Sequence, residues 1–203
     1  MRKLLWMMLL AAPLCAAEFD YYLLALSWAP DFCAQAKGYK DPAECGPGRK
    51  LGFVVHGLWP QAESGRGPEN CGAARPVAAS LVQSMLNYIP TASLIQHEWK
   101  THGTCSGLGA AEYFAAVRKA RDAVKIPAEF AASAQVMQMT PVAIEAAFQK
   151  ANPGIPKAAF RTTCSGGALQ EVRVCFGRDL TPRACGGSAG ECRAGAMSVL
   201  PVR

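Results

Sequence analysis

Apolar positions change their period along this chain, and the changes mark out its elements. Residues 18–28, "EFDYYLLALSW", are an almost unbroken aromatic and aliphatic run that predicts a buried strand. Residues 51–59, "LGFVVHGLW", predict a second strand with His56 near its end. Residues 29–50 between them are loop-rich. From residue 77 the period becomes helical. Residues 77–89 stop at Pro90, and 94–105 and 110–124 follow. In 140–152, Thr140 stands as N-cap and Pro141 takes the first helical position. Strand character returns at 158–164 and at 168–176, where Val172, Val174 and Phe176 alternate with Arg173 and Cys175. Strands, then helices, then strands predict an α+β fold. No internal repeat, low-complexity tract or linker divides it, so residues 18–203 are expected to form a single domain.

The first 17 residues stand outside that pattern. Arg2 and Lys3 precede an apolar run, and Cys15, Ala16 and Ala17 supply small residues before Glu18. That layout predicts a signal peptide over residues 1–17, removed on export. Leu14 is bulky where a lipidated cysteine such as Cys15 wants a small neighbour, which disfavours a lipid anchor. No later run has the ~20 apolar residues that a transmembrane helix needs, so no membrane association is expected after cleavage. A periplasmic or secreted location follows.

Loss of the leader leaves 186 residues and lowers the formal net charge from +6 to +4. So mild a basic bias helps an anionic partner to approach without identifying one. Eight of the nine cysteines remain, an even number behind a secretion signal, which reads as four disulfides. Eight cysteines allow 105 pairings, so counting alone leaves the connectivity open. No CxxC pair is present, which argues against a zinc ribbon or a thioredoxin-type redox site.

Candidate chemistry is concentrated in the histidines. The chain has three, and two lie in "IQHEWKTHGTC", residues 95–105. On a helix advancing about 100° per residue, His102 falls about 40° from Glu98, while His97 lies at the other edge of an arc roughly 140° wide. A zinc protease motif sets its histidines four apart on one face. Here the spacing is five, which weighs against a metal site and against the rival reading of a metal-dependent hydrolase. A phosphodiester suits the arc better: it needs an acid and a base on opposite sides of phosphorus, with donors around the nonbridging oxygens. On this reading Glu98 sits beside the His102 ring, orients it and raises its pKa. The third histidine, His56 in "FVVHGLWP", is delivered by a strand end and supplies the missing partner.

"FVVHGLWP" and "HEWKTHGTC" resemble the two active-site motifs of the ribonuclease T2 family. "YYLLALSWAPDFC" and "EVRVCF" are similar to its first and late strands, so the likeness runs from about Tyr21 to Cys192. The resemblance implies a central, mainly antiparallel sheet packed against several helices. It implies a metal-independent endoribonuclease with an RNA substrate and no cofactor. The ribose 2′-hydroxyl attacks its own phosphate to give a 2′,3′-cyclic phosphate, which water then opens to a 3′-phosphate. His102 matches the family's general base, His56 its general acid, His97 a phosphate-binding residue and Glu98 a residue assisting the transition state. Trp59 matches a residue lining the base and phosphate pocket. The pairings implied are Cys33–Cys45, Cys71–Cys105, Cys164–Cys192 and Cys175–Cys185. A monomer is expected. A weak RNA-binding protein on the same scaffold is the alternative, and retention of three histidines and Glu98 argues against it.

Two departures from the family pattern stand out. The lysine usual before the second motif's last histidine is replaced by Thr101, and Lys100 lies outside the helical arc. A reduced rate, rather than inactivity, is the expected consequence unless another cation substitutes. Gln61 stands where some members carry an acidic base-reading residue, which leaves base preference open.

Overall fold

A computed structural model describes residues 18–35, 41–131 and 135–202. The leader assigned to residues 1–17 lies outside the described residues.

The apolar runs become strands as expected. β1 (Tyr21–Trp28) pairs antiparallel with β2 (Phe53–Gln61) and with β5 (Ala168–Phe176), while β4 (Phe160–Ser165) pairs with the other side of β5. Two short strands, β3 (Met137–Met139) and β6 (Met197–Val199), complete a six-stranded sheet of order β2-β1-β5-β6-β3. Among the described residues only the β5–β6 pairing is parallel, so the sheet is mixed and mainly antiparallel. Neither short strand is evident in the sequence, since three residues carry no readable period.

Alternation gives the sheet two unlike faces. Leu24, Leu26 and Trp28 of β1 and Val172, Val174 and Phe176 of β5 face the main core. Helices cover that side: α5 (Ala110–Asp122) contributes Tyr113, Phe114 and Val117, and α7 (Pro141–Ala151) contributes Ile144 and Phe148. The N-cap reading at Thr140 holds, its side chain accepting from the Ala143 amide at 3.1 Å. Among the described residues there are seven helices in all. Two of them, α1 (Ala29–Ala34) and α2 (Pro42–Cys45), are short turns of helix within the stretch read as loop. Another, α3 (Ala79–Met85), covers only the middle of 77–89. A further short one is α6 (Ala128–Ala131), and α4 (Ala92–Thr101) completes the seven.

The opposite face carries a small apolar cluster of Tyr21, Leu23, Ala25 and Cys175, and then turns polar. Ser27 of β1 lies opposite Glu171 of β5, and Ala25 opposite Arg173.

β2 does not run regularly against β1. Gly57 pairs with Ala25 and Val55 with Leu26, so His56 has no partner opposite it. This bulge puts one extra residue into β2, a device that re-aims side chains. Before it, Phe53 and Val55 face the main core. After it, Leu58 does, and Trp59 joins the small cluster on the other side.

The segment read as one helix over 94–105 is two pieces. The α-helix α4 runs from Ala92 to Thr101, with Thr91 as its cap, and a tight 3-10 turn spans Gly103–Cys105. His102 is the joint between them, at φ −115°. Gly103 is needed there because a Cβ would collide with the ring of Trp99 and crowd that of Tyr113.

All four disulfides form with the pairings the family resemblance implies. Cys71–Cys105 ties the turn after His102 to the loop preceding α3, which also holds α4 through Asn70 and Arg75. Cys71→Ser is expected to cost about 2–5 kcal/mol of stability and also to lower turnover, because the bridge fixes where His102 ends. Thermal unfolding and kinetics below the unfolding range check both; wild-type turnover in the folded variant would separate the bridge from the site.

Candidate active site

Trp59 is the hub of the site. Its indole Nε1 donates to Glu98 Oε2 at 2.8 Å. The ring of His56 meets the indole edge-on at 5.0 Å, and the ring of His102 lies against it at 5.3 Å and 34°. Three side chains from two distant segments therefore converge on one indole. His97, exposed on α4, shares with His56 a cavity of about 330 Å³ whose walls include Ser27, Glu44 and Leu94. All five site residues read from the sequence thus fall in one region.

This convergence depends on a missing side chain. A Cβ on Gly57 would collide with the Glu98 carboxylate and the Trp59 indole nitrogen. A glycine following the bulge lets α4 press its carboxylate against the strand. Glu98 is fully buried, one turn after buried Ile95 on the inward stripe of α4.

One expectation is overturned. Glu98 does not sit beside the His102 ring; its carboxylate faces His56, with Oε1 3.8 Å from His56 Nε2. The wheel gave the angle around the axis but not the direction along it. The i,i+4 contact needs residue 102 to stay in the helix, but His102 has left helical geometry at φ −115°, and the indole of Trp59 draws the Glu98 carboxylate toward the strand. The pKa expectation falls with it. His102 Nδ1 is buried without a hydrogen-bond partner. Burial, with the neighbouring charges of His97 and His56, pushes the His102 imidazole down to about 4.

The carboxylates act on His56 instead. Glu171 Oε1 lies 2.7 Å from His56 Nδ1. Burial alone would lower the pKa of His56, but the bond and charge of Glu171, with the charge of Glu98, raise it above the ordinary 6.5 against the opposing charge of Arg173. Its side chain is 37% exposed, so solvent and substrate reach it. Burial raises the Glu98 carboxyl to about 7, against the pull of His56 and Trp59. Burial would also raise Glu171, yet its bond to His56 and the charges of His56 and Arg173 hold it down to about 2. In the cavity wall, burial and nearby Asp41 push the Glu44 carboxyl up to about 7, with His56 and Arg49 opposing.

In the sequence Glu171 and Arg173 stand out only as part of a strand. Their signal was present: they alternate with Val172 and Val174 and so mark the polar face of β5.

The ribonuclease T2 family profile matches residues 19–185. The chain belongs to the ribonuclease T2 family. It is similar to a ribonuclease of Aeromonas hydrophila, 33% identical over 170 residues, which cover 82% of this chain and 75% of that protein. Among solved structures, an RNase-related protein from Calystegia sepium shares the fold with a TM-score of 0.72 at 24% identity, covering 91% of this chain and 98% of that one. A mutant of RNase MC1 in complex with 5′-UMP matches with a TM-score of 0.66 at 25% identity, covering 89% and 98%. This T2-family member is a ribonuclease, and its disulfides fit an oxidising compartment.

Proposed function

We propose that this T2-family ribonuclease is exported behind residues 1–17 and cleaves single-stranded RNA without a metal, using His102 as general base and His56 as general acid. The observation that carries this reading is the convergence of His56, His102 and Glu98 on Trp59.

His102 takes the proton of the ribose 2′-hydroxyl as its oxygen bonds to phosphorus. The bond from phosphorus to the 5′-oxygen breaks, and that oxygen takes its proton from His56 Nε2. The product is a 2′,3′-cyclic phosphate. Water then attacks with the roles reversed, His56 taking its proton and His102 protonating the 2′-oxygen. The 3.8 Å between Glu98 Oε1 and His56 Nε2 is too long for a hydrogen bond, and Oε1 has no partner. With its carboxyl raised to about 7, Glu98 carries a proton in mildly acidic solution and on this reading offers it from Oε1 to a nonbridging oxygen of a phosphate bound beside His56. On this reading His97, exposed in the wall of the same cavity, binds phosphate, and a flanking nucleoside occupies the cavity. The 5′-UMP held by the RNase MC1 mutant is consistent with such an occupant.

The deciding experiment is RNA digestion in excess EDTA with analysis of the product ends. Undiminished cleavage giving 2′,3′-cyclic ends, later 3′-phosphate, is expected; loss of activity on chelation excludes the mechanism.

The pH profile supplies a further check. The base must be neutral, so kcat/KM should rise with pH through about 4 as His102 loses its proton. The acid must be protonated, so activity should fall above 6.5 as His56 and Glu98 ionise as a coupled pair. A plateau spanning weakly acid pH is expected, measured on a dinucleotide; an ascending limb near 6.5 would remove His102 as the base.

A further inference from the structure

The Glu171 carboxylate has a different partner for each oxygen. Oε2 accepts a hydrogen bond from Arg173 Nε at 2.8 Å and forms an ion pair with its Nη2 at 2.7 Å. Oε1 is left for His56 Nδ1 at 2.7 Å, with Ser27 Oγ donating at 3.2 Å. The third guanidinium nitrogen of Arg173 donates to the Ala189 carbonyl at 2.8 Å, and the group lies 5.3 Å over the Trp59 ring. Strand geometry makes this chain of contacts rigid. Glu171 and Arg173 are two apart on one face of β5, and Ser27 is opposite Glu171 in the ladder. Glu171 is only 3% exposed, yet hydrolysis chemistry as proposed leaves it untouched by substrate.

The geometry points to Glu171 as a positioning residue that acts through His56: its carboxylate fixes the proton on Nδ1, so that Nε2 is the nitrogen presented to the leaving oxygen, and Arg173 fixes the carboxylate. The inference rests on His56 being the general acid. In the first half-reaction Nε2 gives its proton to the 5′-oxygen as that oxygen departs with the bonding pair. Neutral His56 keeps its Nδ1 proton against Glu171, which stays a carboxylate throughout. In the second half-reaction Nε2 recovers a proton from water. The other groups facing His56 are Glu98 of α4, His102 beyond it and Glu44 of α2; none lies within hydrogen-bond reach of Nδ1 in the described contacts. Charge from Glu98 or Glu44 can favour the imidazolium, but only Glu171 can choose its tautomer.

Glu171→Gln tests this. Arg173 demands an acceptor, so the amide oxygen turns toward the guanidinium and its NH₂ faces Nδ1. Nδ1 must then accept, and the proton-donating form of His56 is lost. On a dinucleotide, kcat is expected to fall about 10²-fold with little change in KM, and the falling limb of the pH profile should move to lower pH. The comparison substrate is the 4-nitrophenyl ester of a nucleoside 3′-phosphate, whose nitrophenolate departs without a proton. On it the variant should lose at most a few-fold, whereas a general disturbance of the fold would slow both substrates alike. His56→Ala is run beside it. If His56→Ala spares the ester but Glu171→Gln slows both substrates equally with an unmoved limb, the role of Glu171 is overturned and that of His56 stands. If His56→Ala itself slows both equally, the acid assignment fails first. Should Glu171→Gln not fold, the wild-type protein decides by nitrogen-15 NMR of its three histidines: His56 must carry its neutral-state proton on Nδ1, and a proton on Nε2 refutes the inference.

Discussion

His102→Ala is expected to lower kcat on RNA by about 10²–10⁴-fold, the range for a positioned general base, while leaving KM within a few-fold. The ascending limb near pH 4 should vanish with it, because the proposed mechanism makes that limb the titration of this ring. The same substitution should change acid stability, and the sign follows from the shift. His102 has a folded-state pKa of about 4 against 6.5 for a free imidazole. Its neutral form is therefore favoured by folding; that contribution is present above 6.5 and is lost as pH falls through 4. The variant lacks this liability, so its unfolding temperature should decline less than the wild type's between those pH values. A single variant thus ties a rate, a profile and a melting curve to one ring. Unchanged kcat, or an ascending limb that survives, would assign the base elsewhere.

Gly57→Ala is expected to be nearly as damaging, with one methyl group. Its Cβ would occupy the place of the Glu98 carboxylate and the Trp59 nitrogen. Neither neighbour can retreat cheaply. Glu98 is fully buried on α4, and Trp59 is held between two histidine rings. Breaking their hydrogen bond leaves a buried carboxylate without its donor, an expensive state. A loss of kcat/KM of at least about 10²-fold is expected, since misplacement of about 1 Å can cost that much. Because Gly57 lies on a paired strand rather than in a tight turn, the fold should survive, and circular dichroism with dinucleotide kinetics would show the two effects apart. Near-normal kinetics would mean that the Glu98–Trp59 contact is dispensable.

The strands and helices that place the site were legible because each is long enough to show its period. β1, β5 and α7 lie close to where alternation and capping put them. The catalytic candidates were legible as residue types, and family likeness supplied their roles. What escaped was direction. The wheel over residues 94–105 assumed that the helix continued to His102, and it assigned Glu98 to the wrong histidine. Nothing in "FVVHGLWP" announces a bulge, because an unpaired residue is defined by its neighbour strand. The His56–Glu171 contact spans 115 positions and exists only once β1 has brought β2 and β5 to either side of itself. Glu171 could be placed on the polar side of its strand, but its target could not be named.

The ladder of β2 is complete except at residue 56. Residue 56 is thus released from the ladder, and what holds its side chain is Glu171 and Trp59 rather than strand pairing. A descendant lineage could exchange the imidazole by a single codon change without disturbing the ladder, provided the new side chain still meets the buried Glu171 carboxylate. On the proposed mechanism such an exchange ends cleavage while the ladder stays paired, and a non-cleaving offspring free to take up other work is a short evolutionary step away.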